Sequence, residues 1–174
     1  SAATLAGHKV CRLFSYLREP GDTPEAYAAQ LAQRLTPKGI AIRLLKQCER
    51  SCLVYVYRPA ALHAALDDSD IARFLRAYGY AGADTEQALS CLSERIHCGE
   101  DFPHEIGVFL CYPLTDVIGF IEHHGQNSCA LGCWKVYANA EEALKRFALY
   151  RKCSDVYLAC YRKGLSVSRL TVAA

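Results

Sequence analysis

The sequence predicts an α+β domain, and three patterns support that prediction. Residues 40–45 and 52–57 are rich in β-branched, aromatic and large apolar side chains and are joined by a polar turn, which favours an antiparallel hairpin. Thr23 followed by Pro24 is typical of a helix start, and apolar residues then recur at helical spacing. The third pattern is a strand, a helix and a second strand within residues 106–137.

This third pattern predicts a β-α-β unit. Residues 106–111 are nearly all apolar, as expected for a central strand covered on both faces. Pro113 opens a helix that ends at Gly125, and residues 133–137 form the next strand. Because such connections are right-handed and join parallel strands, the hairpin and this unit together give a mixed sheet of about four strands covered by several helices.

One domain suits a chain of 174 residues that shows no linker and no break in composition. Residues 1–20 are predicted as an entry segment with some helical character. Helical patterns fill residues 60–98, where Asp84 and Gln87 resemble a capping box. We therefore expect a single domain over 1–174, with 60–98 as a helical flank or insertion.

Charge and hydropathy argue against two classes of partner. The 20 basic and 18 acidic residues give a net charge of +2, too weak a field to indicate nucleic acid or an anionic membrane surface. No apolar run approaches the roughly 18 residues of a membrane span, and no signal peptide is visible. We expect a cytoplasmic protein that binds neither nucleic acid nor membrane.

Ten cysteines are a high count for a chain that is long enough to bury its own core. Most are predicted to be reduced, buried thiols. Two pairs, Cys48 with Cys52 and Cys129 with Cys133, each have three intervening residues, and four such thiolates can bind zinc tetrahedrally. The usual zinc knuckle has two intervening residues, so simple burial at the start of a strand remains the alternative for these cysteines.

Polar residues next to the predicted apolar strand are candidates for a site. His104 with Glu105 is a candidate general base, metal ligand or salt-bridge anchor, and the alternative is a hydrogen-bonded strand entrance. Tyr112 lies where the predicted strand turns into a helix, a place where free N–H groups can hold an anion. Its alternative role is that of a connector residue packed on the core.

The strand predicted at 133–137 adds a second group of candidates. Alternation places Lys135 and Tyr137 on the face opposite Trp134. Arg58, at the end of another predicted strand, can join the same surface, and cations beside aromatic rings suit a flat or anionic ligand. The alternative is an ordinary strand with one lysine whose stem covers apolar surface.

Several motifs follow one another in a recognisable order. They are TLAGHK at 4–9, VYVYRP at 54–59, FPHEIGVFLCYPLTDVIGFIEHHG at 102–125, CWKVY at 133–137 and FALYRKC at 147–153. Together they make the chain resemble an uncharacterised bacterial family, the domain-of-unknown-function family 3793. In that family a glycine is expected where this chain has Cys111, and a cysteine where it has Ser1.

The resemblance implies no established activity. Genes of the family often lie near flavodoxin and ferrous-iron uptake genes, which implies a link with iron, haem or redox physiology. If the opening cysteine of the family binds something, this chain has lost that ligand.

Three functional hypotheses follow. The first is a small-ligand or cofactor-binding accessory protein, with haem or flavin among the candidate ligands. The second is an enzyme that uses His104 or a cysteine as base or nucleophile, which predicts a displaced pKa inside a pocket. The third is a structural zinc protein. Whether the protein is an enzyme and which cofactor it holds are left open by the sequence.

Overall fold

A three-stranded antiparallel sheet forms the centre of the protein. The computed structural model describes residues 1–80, 84–98 and 102–173. The strands are β1 (Cys11–Leu17), β2 (Ala41–Gln47) and β3 (Ser51–Tyr57), and β3 lies between the other two. The hairpin predicted from the sequence is confirmed as β2 and β3. Its apolar strand, β3, lies in the middle of the sheet, where both of its faces are covered.

Nine helices and a smaller hairpin surround this sheet in the described part of the chain. The helices are α1 (Ala2–Leu5), α2 (Pro24–Leu35), α3 (Pro59–Leu66), α4 (Ser69–Ala77), α5 (Thr85–Cys98), α6 (Ile106–Phe109), α7 (Leu114–Glu122), α8 (Ala140–Arg162) and α9 (Val167–Leu170). The small hairpin consists of β4 (Ala130–Leu131) and β5 (Lys135–Val136). None of the described helices has the length and apolarity that crossing a lipid bilayer requires.

Helices cover both faces of the central sheet. On one face Tyr55 and Tyr57 pack in the main core, to which α3 and α5 contribute Leu62 and Leu89. On the other face Val54 and Val56 pack against residues from the ends of α1 and α2. The α+β class in a single domain is confirmed. The description of 60–98 as a flank or insertion stays a prediction, although its helices supply much of the main core.

The predicted β-α-β unit is wrong. Residues 106–109 form the helical turn α6, and β5 pairs antiparallel with the neighbouring β4. A continuous apolar run does not distinguish a buried strand from a buried helical turn, since both expose no polar face. Gly107 favours the helical packing because a β-carbon there would lie 2.8 Å from Cγ2 of Val117 on α7. The missing side chain lets α6 and α7 approach closely.

Strand β1 was not predicted, and its exposure explains why. It is an edge strand, and its side chains Phe14 and Leu17 remain 37% and 74% exposed. A strand whose apolar residues fall on both a covered and an open surface shows no clean alternation along its sequence. Pairing with β3, rather than its own pattern, therefore determines this strand.

The small hairpin is fixed to α7 by one buried carboxylate. Asp116 accepts hydrogen bonds from Nε1 of Trp134 at 2.7 Å and from the backbone N–H groups of Tyr137 at 2.7 Å and Ala138 at 3.0 Å. Three donors satisfy a buried carboxylate that would otherwise be destabilising. On its other side the hairpin rests on α8, where a β-carbon at Gly132 would overlap the Phe147 ring.

We expect Asp116→Asn to lower the free energy of unfolding by about 1–3 kcal/mol, because the amide turns a donor toward one of the three N–H groups. Emission from Trp134, the single tryptophan of the chain, should also shift to longer wavelength as the hairpin loosens. Urea unfolding followed by fluorescence measures both effects. Asp155→Asn, on an exposed position of α8, is the matched control. Equal stability of the two variants would show that Asp116 does not anchor the hairpin.

Candidate functional site

A cleft of about 490 Å³ lies between α1, the start of β1, the turn of the small hairpin and α8. We call it the cationic cleft, and its polar lining includes Thr4, Lys9, Arg12, Cys133, Tyr150 and Arg151. None of the aspartates and glutamates that the structure describes lines it. Its basic residues come from two parts of the chain, residues 9–12 and Arg151 on α8, which only the folded structure brings together.

Lys9 is the most unusual of these residues. It is only 9% exposed, and its ammonium group makes no hydrogen bond or ion pair with any residue that the structure describes. Instead it lies 5.3 Å from the centroid of the Tyr112 ring and 5.5 Å from that of Tyr150. Burial lowers the pKa of Lys9, since the charged form has lost most of its water. Lysine is rarely buried in this way without a carboxylate partner.

Other polar groups of the cleft also lack partners among the described residues. The side chains of Arg12 and Arg151 are exposed at its edge, and neither forms an ion pair within the described ranges. The hydroxyl oxygen of Thr4 is fully buried and has no hydrogen-bond partner among the described residues. Because a buried polar group without a partner is destabilising, these groups together indicate a site for an anion that can accept hydrogen bonds.

Arg58, predicted to bind ligand, instead supports the floor of the cationic cleft. Its buried guanidinium donates to the carbonyl oxygens of Thr4 at 2.9 Å, Leu5 at 3.1 Å and Val172 at 2.9 Å. A cation at the carbonyl end of a helix is favourably placed. Arg58 therefore ties α1 and the segment after α9 to the end of β3, and through α1 it positions Thr4.

Two further predicted residues, Glu105 and Tyr137, line neither the cationic cleft nor the second cleft described below. Glu105 is buried and accepts hydrogen bonds from Nε of Arg95 at 2.6 Å and from the hydroxyl of Tyr80 at 3.1 Å. It thus corresponds to the salt-bridge anchor among its predicted roles. The ring of Tyr137 stacks on His123 with 5.6 Å between centroids, and its hydroxyl is buried without a partner in the described part of the chain.

The other three predicted residues, His104, Tyr112 and Lys135, do share a cleft. We call it the apolar cleft; it measures about 320 Å³ and is lined mainly by rings and aliphatic side chains. The ring of His104 meets the edge of Phe120 at 5.1 Å, and Nζ of Lys135 donates to the Gly125 carbonyl at 2.6 Å. The lysine charge is therefore already engaged by the protein.

Tyr112 connects the two clefts. Its ring lines the apolar cleft, stacks on Trp134 at 4.9 Å and lies beside the ammonium group of Lys9. Its hydroxyl donates to the backbone carbonyl of Cys133 at 3.1 Å. Burial raises the pKa of Tyr112 to about 12, so the hydroxyl keeps its proton at neutral pH and holds Cys133 in place.

The four cysteines considered for zinc are engaged in different ways. Cys48 is exposed, whereas Cys52 is buried and accepts a hydrogen bond from Nε of Arg18 at 3.1 Å. Cys129 donates to the Val136 carbonyl at 3.2 Å, and Cys133 lines the cationic cleft. Among the residues described, no group of three or more His, Cys, Asp or Glu side chains is placed to hold a metal ion. The zinc hypothesis receives no support from this geometry.

Sequence reasoning missed Lys9, Arg12 and Arg151 as site residues, since each is unremarkable in its own segment. The sequence contained one indication of Lys9. The opening motif TLAGHK contains both Thr4 and Lys9. Ser1, which occupies the place of the cysteine expected from the family resemblance, lines the same cleft.

No curated protein and no solved structure is significantly similar to this chain. A family model does match it, over residues 1–171, and this match spans the sheet, both clefts and every described helix. The chain therefore belongs to the family described as "Protein of unknown function (DUF3793)".

Proposed function

We propose that this protein binds a small anionic molecule in the cationic cleft. The observation that supports this most strongly is Lys9, a residue only 9% exposed that lines the cleft and has no carboxylate partner among the described residues. A buried charge without a counter-charge is destabilising, and a protein keeps such a charge where a ligand supplies the missing partner. Thr4, whose buried hydroxyl has no hydrogen-bond partner among the described residues, belongs to the lining of the same cleft.

The dimensions of the cleft suit a small molecule. Its volume of about 490 Å³ falls in the usual range for small-ligand sites. Phe147 and Tyr150 provide an apolar wall beside the cations. The ligand class expected from the sequence, a small anionic or flat molecule, is retained in this proposal, whereas the cations that hold it are Lys9, Arg12 and Arg151 rather than Arg58 and Lys135.

Electrostatics favour the capture of such an anion. Arg12 and Arg151 lie at the edge of the cleft, where their positive potential attracts an anion from solution, and Lys9 lies deeper, where little water screens its charge. Hydrogen bonds between charged partners are roughly twice as strong as those between neutral groups. Binding therefore gives Lys9 the partner that the protein itself does not provide.

A second candidate function uses the apolar cleft. Three of the predicted residues meet there beside Phe120 and Trp134, which favours a flat aromatic molecule and keeps haem and flavin as candidates. Two expectations accompany this candidate: a cytoplasmic location, from the composition of the sequence, and a link with iron or redox physiology, from the family resemblance. Titration of haem and of flavin into the protein, followed by absorbance, tests it. A Leu110→Trp variant that fills the cleft should abolish any spectral change, and unchanged spectra with the native protein would eliminate this candidate.

We expect citrate and pyrophosphate to raise the melting temperature, because a ligand at 100 times its Kd adds about 2.7 kcal/mol to the free energy of unfolding. Arg151→Gln should weaken this effect. Lys152→Gln, the same charge change at the next position of α8 but outside the cleft lining, should not. Sodium chloride at matched ionic strength separates binding from screening. If neither anion stabilises the native protein at millimolar concentration, the proposed function is wrong.

We expect Lys9→Met to abolish anion binding and to raise the free energy of unfolding, since it removes a buried charge and retains a side chain of similar length. In the native protein, anion affinity should fall as the pH rises through the lowered pKa of Lys9, because only the protonated amine attracts the anion. Isothermal titration at several pH values and urea unfolding measure the two effects. A destabilised variant would show that Lys9 supports the fold rather than the ligand.

A further inference from the structure

We propose that Cys133 is a modification site, at which the cationic cleft delivers small carboxylate-bearing disulfides to an exposed thiol. This inference rests on the proposed anion-binding function and assigns it a substrate class. Cys133 is exposed and lines the cleft with Lys9, Arg12 and Arg151. An anion bound to these cations therefore lies next to its sulfur atom.

The backbone around Cys133 is held in place. Its carbonyl oxygen accepts the hydrogen bond from the Tyr112 hydroxyl, and the preceding Gly132 rests directly on the Phe147 ring. Trp134, the next residue, is fixed by its bond to Asp116 at 2.7 Å. The thiol is thus carried by a turn whose backbone is held in place. A reaction between two atoms is faster when the protein fixes their relative position in this way.

The other thiols near Lys9 are unsuited to this reaction. The charge of Lys9 is close enough to interact with Cys11, Cys111 and Cys133. Cys11 is fully buried and donates to the Phe109 carbonyl at 3.1 Å. A hydrogen bond with Cys11, together with burial, raises the pKa of Cys111 and keeps its thiol protonated. Of these three cysteines, Cys133 is the one that a molecule entering from solvent meets.

The proposed step is thiol–disulfide exchange. The Cys133 thiol releases its proton to solvent, and the thiolate attacks one sulfur of a disulfide that carries carboxylates. The bond between the two ligand sulfurs breaks as the bond to Sγ forms, and one thiolate leaves with the electron pair. A mixed disulfide remains on Cys133, its carboxylate paired with the cations of the cleft. The incoming disulfide is the oxidant, so no further reactant is needed.

The test compares two small disulfides of opposite charge, dithiodiglycolate and cystamine, on the full chain. Acid-quenched samples are digested, and the rate of modification at each cysteine is followed by mass spectrometry. Cys129 is the matched control because it is exposed on the same hairpin but does not line the cleft. Since a focused positive potential raises anion association by tenfold or more, the ratio of the dithiodiglycolate rate to the cystamine rate should be about tenfold higher at Cys133 than at Cys129.

Equal ratios at the two cysteines would overturn the inference. Arg151→Gln should lower the ratio at Cys133 and leave Cys129 unchanged, whereas Lys152→Gln should change neither; a fall with both variants would count against the inference. If citrate stabilises the protein while the ratios remain equal, the modification site fails and the anion-binding function stands. If citrate has no effect and the ratios are equal, both fail.

Discussion

The cationic cleft depends on the three hydrogen bonds that the buried guanidinium of Arg58 donates to backbone carbonyls. They attach α1 and the segment after α9 to the end of the central strand. A helix of four residues is unstable alone, and these bonds add to the packing of Leu5 in the core and the contacts with α8 that hold it in place. Arg58 thus fixes Thr4 relative to the central strand, and with it Lys9, which follows a few residues later.

The opposite wall depends on a second polar anchor. Asp116 joins the small hairpin to α7, and the stacked rings of Trp134 and Tyr112 continue that contact toward Lys9. Both anchors are buried and hydrogen-bonded, whereas Lys9 has no hydrogen-bond or ion-pair partner within the described ranges. This contrast follows a general pattern, in which a well-determined scaffold holds a few groups in unfavourable surroundings so that a ligand can improve them.

The elements that the sequence predicted well are those governed by local chemistry. Helix α2 begins at Pro24 as expected, and the hydrogen bonds between Asp84 and Gln87 form the predicted capping box. Residues 106–111 were mispredicted because full burial leaves no periodicity to interpret. The cationic cleft was missed for a different reason. Lys9 and Arg12 lie far from Arg151 in sequence, and they line a common cleft only in the folded protein. His104, Tyr112 and Lys135 do line one cleft, and their role in ligand binding stays a prediction.

The contact between Gly132 and the Phe147 ring has a consequence for ligand selection. Because backbone and ring touch with no side chain between them, the hairpin turn and α8 are held at a fixed distance on this side of the cleft. In the function that we propose, this distance limits the width of the anion that can enter, so that the cleft selects ligands by size as well as by charge. A side chain at position 132 would widen the spacing unless a smaller residue replaced Phe147.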